Sequence, residues 1–364
     1  MPRYLHVATD PSGTALWLLH DHLSPCALRC RFCPTSLVPV PPRLTDPGVR
    51  AAILAEIDAL LVAPPRRVVL ASADILEYPD LDAILDRLTG IPVTLVSPGW
   101  RLADPAFADA IAARGVTVDL TLLSDVPATY ARITGVADAH RRTLAALDAV
   151  RARGIPLRMS VTVNRDNAPE LADTLLTIHH RYAMPAVTVR WFFPDVPDAA
   201  PDWYDQMPDP RWLREALAAL DTGPSATLPT LELRNVPLCQ VDLRGLRRLQ
   251  VRVPPHTAEQ NMYKADGWPP CATCAAADRC VRLDPRAIRQ LELLPPEPAV
   301  IAAAIAASAP PKGPPPGTGK LPGEGRPRGE GTPPGQGRPK GAGIPKALGR
   351  RPGSDDGPPG SDPS

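Results

Sequence analysis

Aromatic side chains make up only 4% of this chain. A surface that grips single-stranded nucleic acid needs such rings as stacking platforms, so their scarcity argues against that class. Excess charge is also missing: 40 basic residues against 39 acidic ones leave a net +1. No overall field draws the chain to nucleic acid or to an acidic membrane surface. No apolar run reaches the roughly 18 residues that a membrane-spanning helix needs. The start, Met1-Pro2-Arg3-Tyr4-Leu5-His6, has no apolar stretch behind a basic residue, so no signal peptide is expected. These absences point to the cytoplasm, where thiols stay reduced and bind metal more often than they pair. Cysteine is itself sparse, and the odd total of seven argues against a closed disulfide framework.

What is present is concentrated. Cys26, Cys30 and Cys33 fall in one short loop, at spacings of four and three residues. Thiolates are soft donors, and a turn can bring three of them to one metal centre. Two chemistries fit. A 4Fe-4S cluster held by three thiolates keeps one iron open for a ligand. A structural zinc wants four closed ligands, which His20 or His22 could complete. The other four cysteines, Cys239, Cys271, Cys274 and Cys280, include one Cys-x-x-Cys unit. That set suits either a fully ligated cluster or zinc.

Proline is the outlier in excess, at 49 residues, and much of it lies after Ala309. The segment 309–364 alternates proline and glycine irregularly and has almost no large apolar residues, so it is expected to be disordered. Its nine basic and five acidic residues give it a net +4 and leave −3 for the rest.

Between these ends a strand-then-helix pattern repeats. Strands are expected at 15–20, 67–71, 92–96, 116–122, 156–163 and 186–192, each a short, largely apolar run. Helices are expected to open at Asp46-Pro47, Pro79-Asp80-Leu81, Asp104, about Ala137, Asn167 and Pro210. Six such units call for a parallel sheet, because each crossover returns to the same edge. Eight would close a full barrel, so six imply a laterally open one. The cysteine loop follows the first strand, on the face where such folds place chemistry. Residues 230–234 and 248–253 alternate apolar and polar and are expected to form a hairpin. His140, His179 and His180 are expected on solvated helix faces, and His256 in a turn without partners.

This arrangement resembles the radical S-adenosylmethionine (radical SAM) superfamily. The family motif is Cys-x3-Cys-x2-Cys after the first strand, often with an aromatic before the last cysteine. Here that is Cys26, Cys30, Phe32 and Cys33. The segment from Tyr130 to Gly135 and the long helix after it are similar to the family's region beyond its fourth strand. Ser97-Pro98-Gly99 stands where members carry Thr-Asn-Gly. One departure is marked: where members have Gly-Gly-Glu-Pro, this chain has Ser72-Ala73-Asp74-Ile75. Ala73 there removes the smallest residue from a place of close backbone approach.

The resemblance implies an α/β fold, a partial (β/α)6 TIM-like barrel with a small cysteine-rich α+β extension and a disordered tail. The implied domains are 1–225 for the barrel, 226–300 for a twitch or SPASM-like auxiliary cluster extension and 309–364 for the tail. It implies an oxidoreductase in which Cys26, Cys30 and Cys33 hold a 4Fe-4S cluster that binds S-adenosyl-L-methionine. One electron then splits the sulfonium bond, and a 5′-deoxyadenosyl radical takes hydrogen from a peptide or small-molecule substrate. Phe32, Ser72, Ala73, Asp74, Ser97, Arg158 and Ser160 would contact the cofactor. Cys239, Cys271, Cys274 and Cys280 would hold the auxiliary cluster, and a flavodoxin or ferredoxin would supply electrons. The alternative from another class is a non-catalytic zinc- or cluster-binding scaffold derived from the same fold.

Overall fold

The computed structural model describes residues 4–10, 12–19, 26–33, 46–192, 201–254, 271, 273–276, 280 and 297–307. His20, His22, the proline stretch 39–42, His256 and the segment 309–364 lie outside the described residues.

One nine-stranded sheet runs in strict sequence order, β1 to β9. β1 (Leu5–Thr9) pairs antiparallel with β2 (Thr14–Leu19). Every later pairing is parallel: β3 (Arg67–Ala71), β4 (Val93–Ser97), β5 (Thr117–Thr121), β6 (Leu157–Val163), β7 (Ala186–Trp191), β8 (Thr230–Arg234) and β9 (Val251–Arg252). All six expected strands are present as β2 to β7. The architecture is the α/β, laterally open barrel that the repeat implied.

Two features differ from the sequence reading. β1 was not anticipated; its five residues carry too short an alternation to stand out beside β2. The expected hairpin is overturned, because β8 lies parallel to β7 and β9 parallel to β8. Alternation reports that one face is buried, not the direction of the partner strand. The stretch between Arg234 and Val251 contains the 3-10 turn Leu238–Gln240 and is long enough for a parallel return, which needs about a dozen residues.

The helices begin where local chemistry says they should. α1 (Pro47–Leu60) has proline at its first turn, and Asp46 accepts from Gly48 N at 2.8 Å. α2 spans Leu81–Arg87. α3 (Pro105–Ala113) repeats the α1 arrangement with Asp104, which accepts from Ala106 N at 2.9 Å. α4 (Pro127–Thr134) ends at Gly135, and α5 (Ala139–Ala152) precedes Gly154; both glycines have positive φ. α6 (Leu171–Tyr182), the short α7 (Pro201–Tyr204), α8 (Pro210–Thr222) and α9 (Pro298–Ala306) follow. Among the described residues no helix is long and apolar enough to cross a membrane.

Strand periodicity divides the sheet into two unlike faces. Trp17, Leu70, Leu95, Leu120, Val161 and Val189 share the helix-facing side through their registers, and all are buried. The concave side is partly open. It is apolar on the first strands, with Leu16, Leu18 and Val69, and polar from β5 onward, with Asp119, Thr121, Ser160, Thr188 and Arg190.

The turn after β4 is the tightest point. Gly99 has φ +88°, and a Cβ there would sit 2.8 Å from the buried Leu120 Cδ2. Gly99→Ala is expected to cost about 2 kcal/mol or more in urea unfolding, because the strained backbone and the core clash add.

Candidate active site

The loop carrying Cys26, Cys30 and Cys33, which follows β2 in the chain, docks on the end of α4. Arg29 N donates to Thr134 O at 2.9 Å, and Arg31 N to Ile133 O at 3.1 Å. These carbonyls close the last turn of the helix, where no intrahelical donor remains. Gly135 caps that turn at φ +67°, and a Cβ there would lie 3.5 Å from Arg29 Cβ. Cys33 N donates to Cys30 O at 2.9 Å and curls the loop. Arg31 of the loop and Arg132 of α4 both reach Asp166, after β6, at 3.7 and 3.2 Å.

Cys30 is buried. Burial pushes its thiol far above the ordinary range, and the neighbouring Cys33 and Cys26 push it further. The three thiols therefore share one neighbourhood. Such a thiol keeps its proton in the absence of a cation, and a metal that binds the sulfur takes the proton's place and releases it to water. The second set behaves alike. Burial pushes the Cys280 thiol up to about 12, and Cys239, Cys271 and Cys274 add to it. Cys239 is also raised by burial, with Cys271 and Cys274 nearby. Leu238 N donates to Cys280 Sγ at 3.4 Å, and Gln240 Nε2 to Cys239 Sγ at 3.3 Å. Among the described residues no group of three or more His, Cys, Asp or Glu closes around a single ion. A 4Fe-4S cluster binds each thiolate through a different iron and asks for a wider set.

The segment after β3 combines a committed side chain with an unpartnered one. Asp74 is buried and caps the short 3-10 turn Ile75–Glu77 through Leu76 N at 3.2 Å. Ser97, at the end of β4, donates to Asp74 Oδ1 at 2.6 Å and accepts from Gly99 N at 2.8 Å. Ser97 and Asp74 thus hold two strand ends together. Ser72 Oγ is buried without a hydrogen-bond partner, and Ala73 beside it is half-buried. An orphaned hydroxyl at a strand's C-terminal end is a donor awaiting a ligand, so the residues present fit a polar cofactor there.

The remaining expected residues are placed differently from one another. Phe32 packs on Phe192 at 5.5 Å between ring centroids. Arg158 is exposed near the start of β6, while Ser160 is buried within a network. Arg190 Nη1 donates to Ser160 Oγ at 2.6 Å and Nη2 to Asp119 Oδ2 at 3.3 Å; Thr121 lies 3.2 Å from Ser160. Sequence reasoning missed Asp119 and Arg190, although each is a lone charge inside an apolar strand. Asn167, expected to cap a helix, stands at the start of the short turn Ala168–Glu170 but makes no side-chain cap bond; its side chain instead donates to Leu123 O and Thr162 O at 2.6 and 2.9 Å. His140 corrects the solvated-face expectation: its side chain is 11% exposed and meets Tyr130 edge-on. Burial lowers its pKa.

Two outcomes follow from these contacts. Burial raises Asp74 to about 6, above its unfolded value of 3.8. Between about pH 4 and 6 the folded state then holds a proton that the unfolded state has lost, so this group's contribution to stability falls as pH rises. Melting curves should show Asp74→Asn gaining on the native protein between pH 5 and pH 7.5. Arg190→Met strands the buried Asp119 carboxylate and should cost about 3 kcal/mol by denaturation. Asp119→Asn should cost less, because Arg190 can reach water.

Residues 22–178 match the family model described as "Radical SAM superfamily". No curated protein matches the chain. Among solved structures, it is similar to anSMEcpe with bound AdoMet (12% identity, TM-score 0.42, 56% of this chain and 58% of that one). It is also similar to Streptococcus suis SuiB bound to precursor peptide SuiA (16% identity, TM-score 0.46, 59% and 48%). A third is TYW1 with a lysine-pyruvate adduct bound (15% identity, TM-score 0.38, 58% and 74%). The chain thus spans about half the length of the first two. The cysteine loop after β2 and the strands β3 to β6 that stand beside it lie within the segment, residues 22–178, that matches the Radical SAM superfamily.

Proposed function

We propose that the chain is a radical SAM enzyme with one auxiliary cluster, acting on a peptide or small molecule. The observation that carries this reading is the docking of the loop of Cys26, Cys30 and Cys33, which follows β2 in the chain, on the end of α4, inside the segment matching the superfamily. When bound, a reduced 4Fe-4S cluster supplies the electron that cleaves S-adenosyl-L-methionine to methionine and a 5′-deoxyadenosyl radical.

The chain's own residues would do the holding. Cys26, Cys30 and Cys33 bind the cluster, and the hydrogen bonds of Arg29 and Arg31 to the end of α4 keep their loop in place. Ser72 offers its unpartnered hydroxyl, and Asp74, with Ala73 beside it, stands where the family receives the cofactor's amino group. Ser97 keeps Asp74 in position. Ser160 and Arg158 face the concave side, where the cofactor's polar end would lie. Phe32, packed on Phe192, closes the loop against water. Cys239, Cys271, Cys274 and Cys280 hold the second cluster, with Leu238 N and Gln240 Nε2 donating to two of its sulfurs. In this reading residues 1–225 form the barrel and 226–300 the extension. Electrons come from a flavodoxin or ferredoxin.

The test is metal content and cleavage in anaerobically purified protein. About eight irons per chain are expected. S-adenosyl-L-methionine and a strong reductant should yield 5′-deoxyadenosine. Cys30→Ala should abolish that product, and Cys274→Ala should lose iron yet retain part of it. Zinc in both sites with no cleavage would instead establish the scaffold reading.

A further inference from the structure

Among the described residues, the strands of the polar half of the concave face carry more positive than negative charge. The registers put Asp119 beside Arg158, Arg190 beside Arg234 and Glu232 beside Arg252, all on the same side of the sheet. Among the described strand residues, four arginines thus face two carboxylates. The pairs that form do not exhaust them. Arg190 shares its guanidinium between Ser160 and Asp119. Arg234 turns Nε and Nη2 toward one oxygen of Glu232, at 2.6 and 2.5 Å. Both side chains keep contact with solvent, at 29% and 31% exposure.

This surplus sits in a body of opposite sign, since residues before the Pro/Gly-rich segment sum to −3. A concave wall with low-dielectric backing focuses such a field. S-adenosyl-L-methionine cannot discharge it, because that cofactor carries a sulfonium and an ammonium against one carboxylate. Lower in the register, Asp119 Oδ1 and Thr94 Oγ1 are buried without partners on the same concave side. That end accepts a hydrogen bond, while the rim of arginines awaits an anion.

We infer that the substrate of this site is acidic, with a carboxylate or phosphate seated on Arg234 and Arg252 at the β8–β9 side of the concave face. Guanidinium forks match both anions in a bidentate manner. The inference rests on the enzyme reading above and names the substrate class for it.

Calorimetric titration of the anaerobically purified full chain with inorganic phosphate in one arm and succinate in the other tests it. At least one probe should saturate, and which one does separates a phosphoryl from a carboxylate substrate. Arg234→Gln and Arg252→Gln should each weaken that binding at least tenfold. Arg141→Gln, on the outer side of α5, should leave it as in the native protein. If Arg234→Gln does not fold, Arg252→Gln decides. Failure of both probes to saturate, or native affinity in both variants, overturns the inference. 5′-Deoxyadenosine formation in the same preparation keeps the two readings apart. Cleavage without anion binding removes only the acidic substrate, and binding without cleavage removes only the enzyme.

Discussion

Two backbone hydrogen bonds anchor the chemistry of this protein to its fold. The last carbonyls of α4 have no donors within the helix, and Arg29 and Arg31 supply them. A helix end that would otherwise face water becomes the seat of the cysteine loop. The arrangement needs a helix that stops abruptly, and Gly135 stops it by entering the left-handed region that side chains avoid. It also needs the loop to stay put laterally, which Asp166 ensures by taking both Arg31 and Arg132. Two distant segments therefore converge on one short loop.

The sheet supplies the other constraint. Each parallel strand offers one row of side chains to the helices and another to the concave space. The helix-facing row is apolar except at Ser97 and nearly all buried, so it carries the cohesion of the barrel. That leaves the concave row free to hold groups a core would not tolerate. Asp119 and Ser160 are buried there because Arg190, which itself reaches solvent, donates to both. Ser97 is an exception on the helix-facing side, and it is kept there by Asp74 and Gly99 rather than by packing.

Much of this is legible in the sequence. The six βα units were marked by apolar strands and by Asp-Pro helix starts, both local signals. The position of Cys26, Cys30 and Cys33 after the first of those strands needed only the order of elements. The charged pair in the lumen was harder. Asp119 and Arg190 are 71 residues apart, and nothing local says that one carboxylate will meet one guanidinium. The hairpin expectation failed for a related reason. Strand alternation in residues 230–234 and 248–253 is the same whichever direction the neighbour runs.

The sequence by itself determined the unit that repeats, the places where helices start and stop, and the soft-donor character of the two cysteine groups. These depend on backbone propensity and on side-chain chemistry, which act within a few residues. Only the tertiary structure decided that β8 and β9 extend the parallel sheet, that α4 receives the cysteine loop, and that arginines from four strands line one face. Those outcomes depend on which surfaces meet after the chain folds back on itself. The three cysteines become more than a spacing because a distant helix end offers two carbonyls to Arg29 and Arg31 of the loop that carries them.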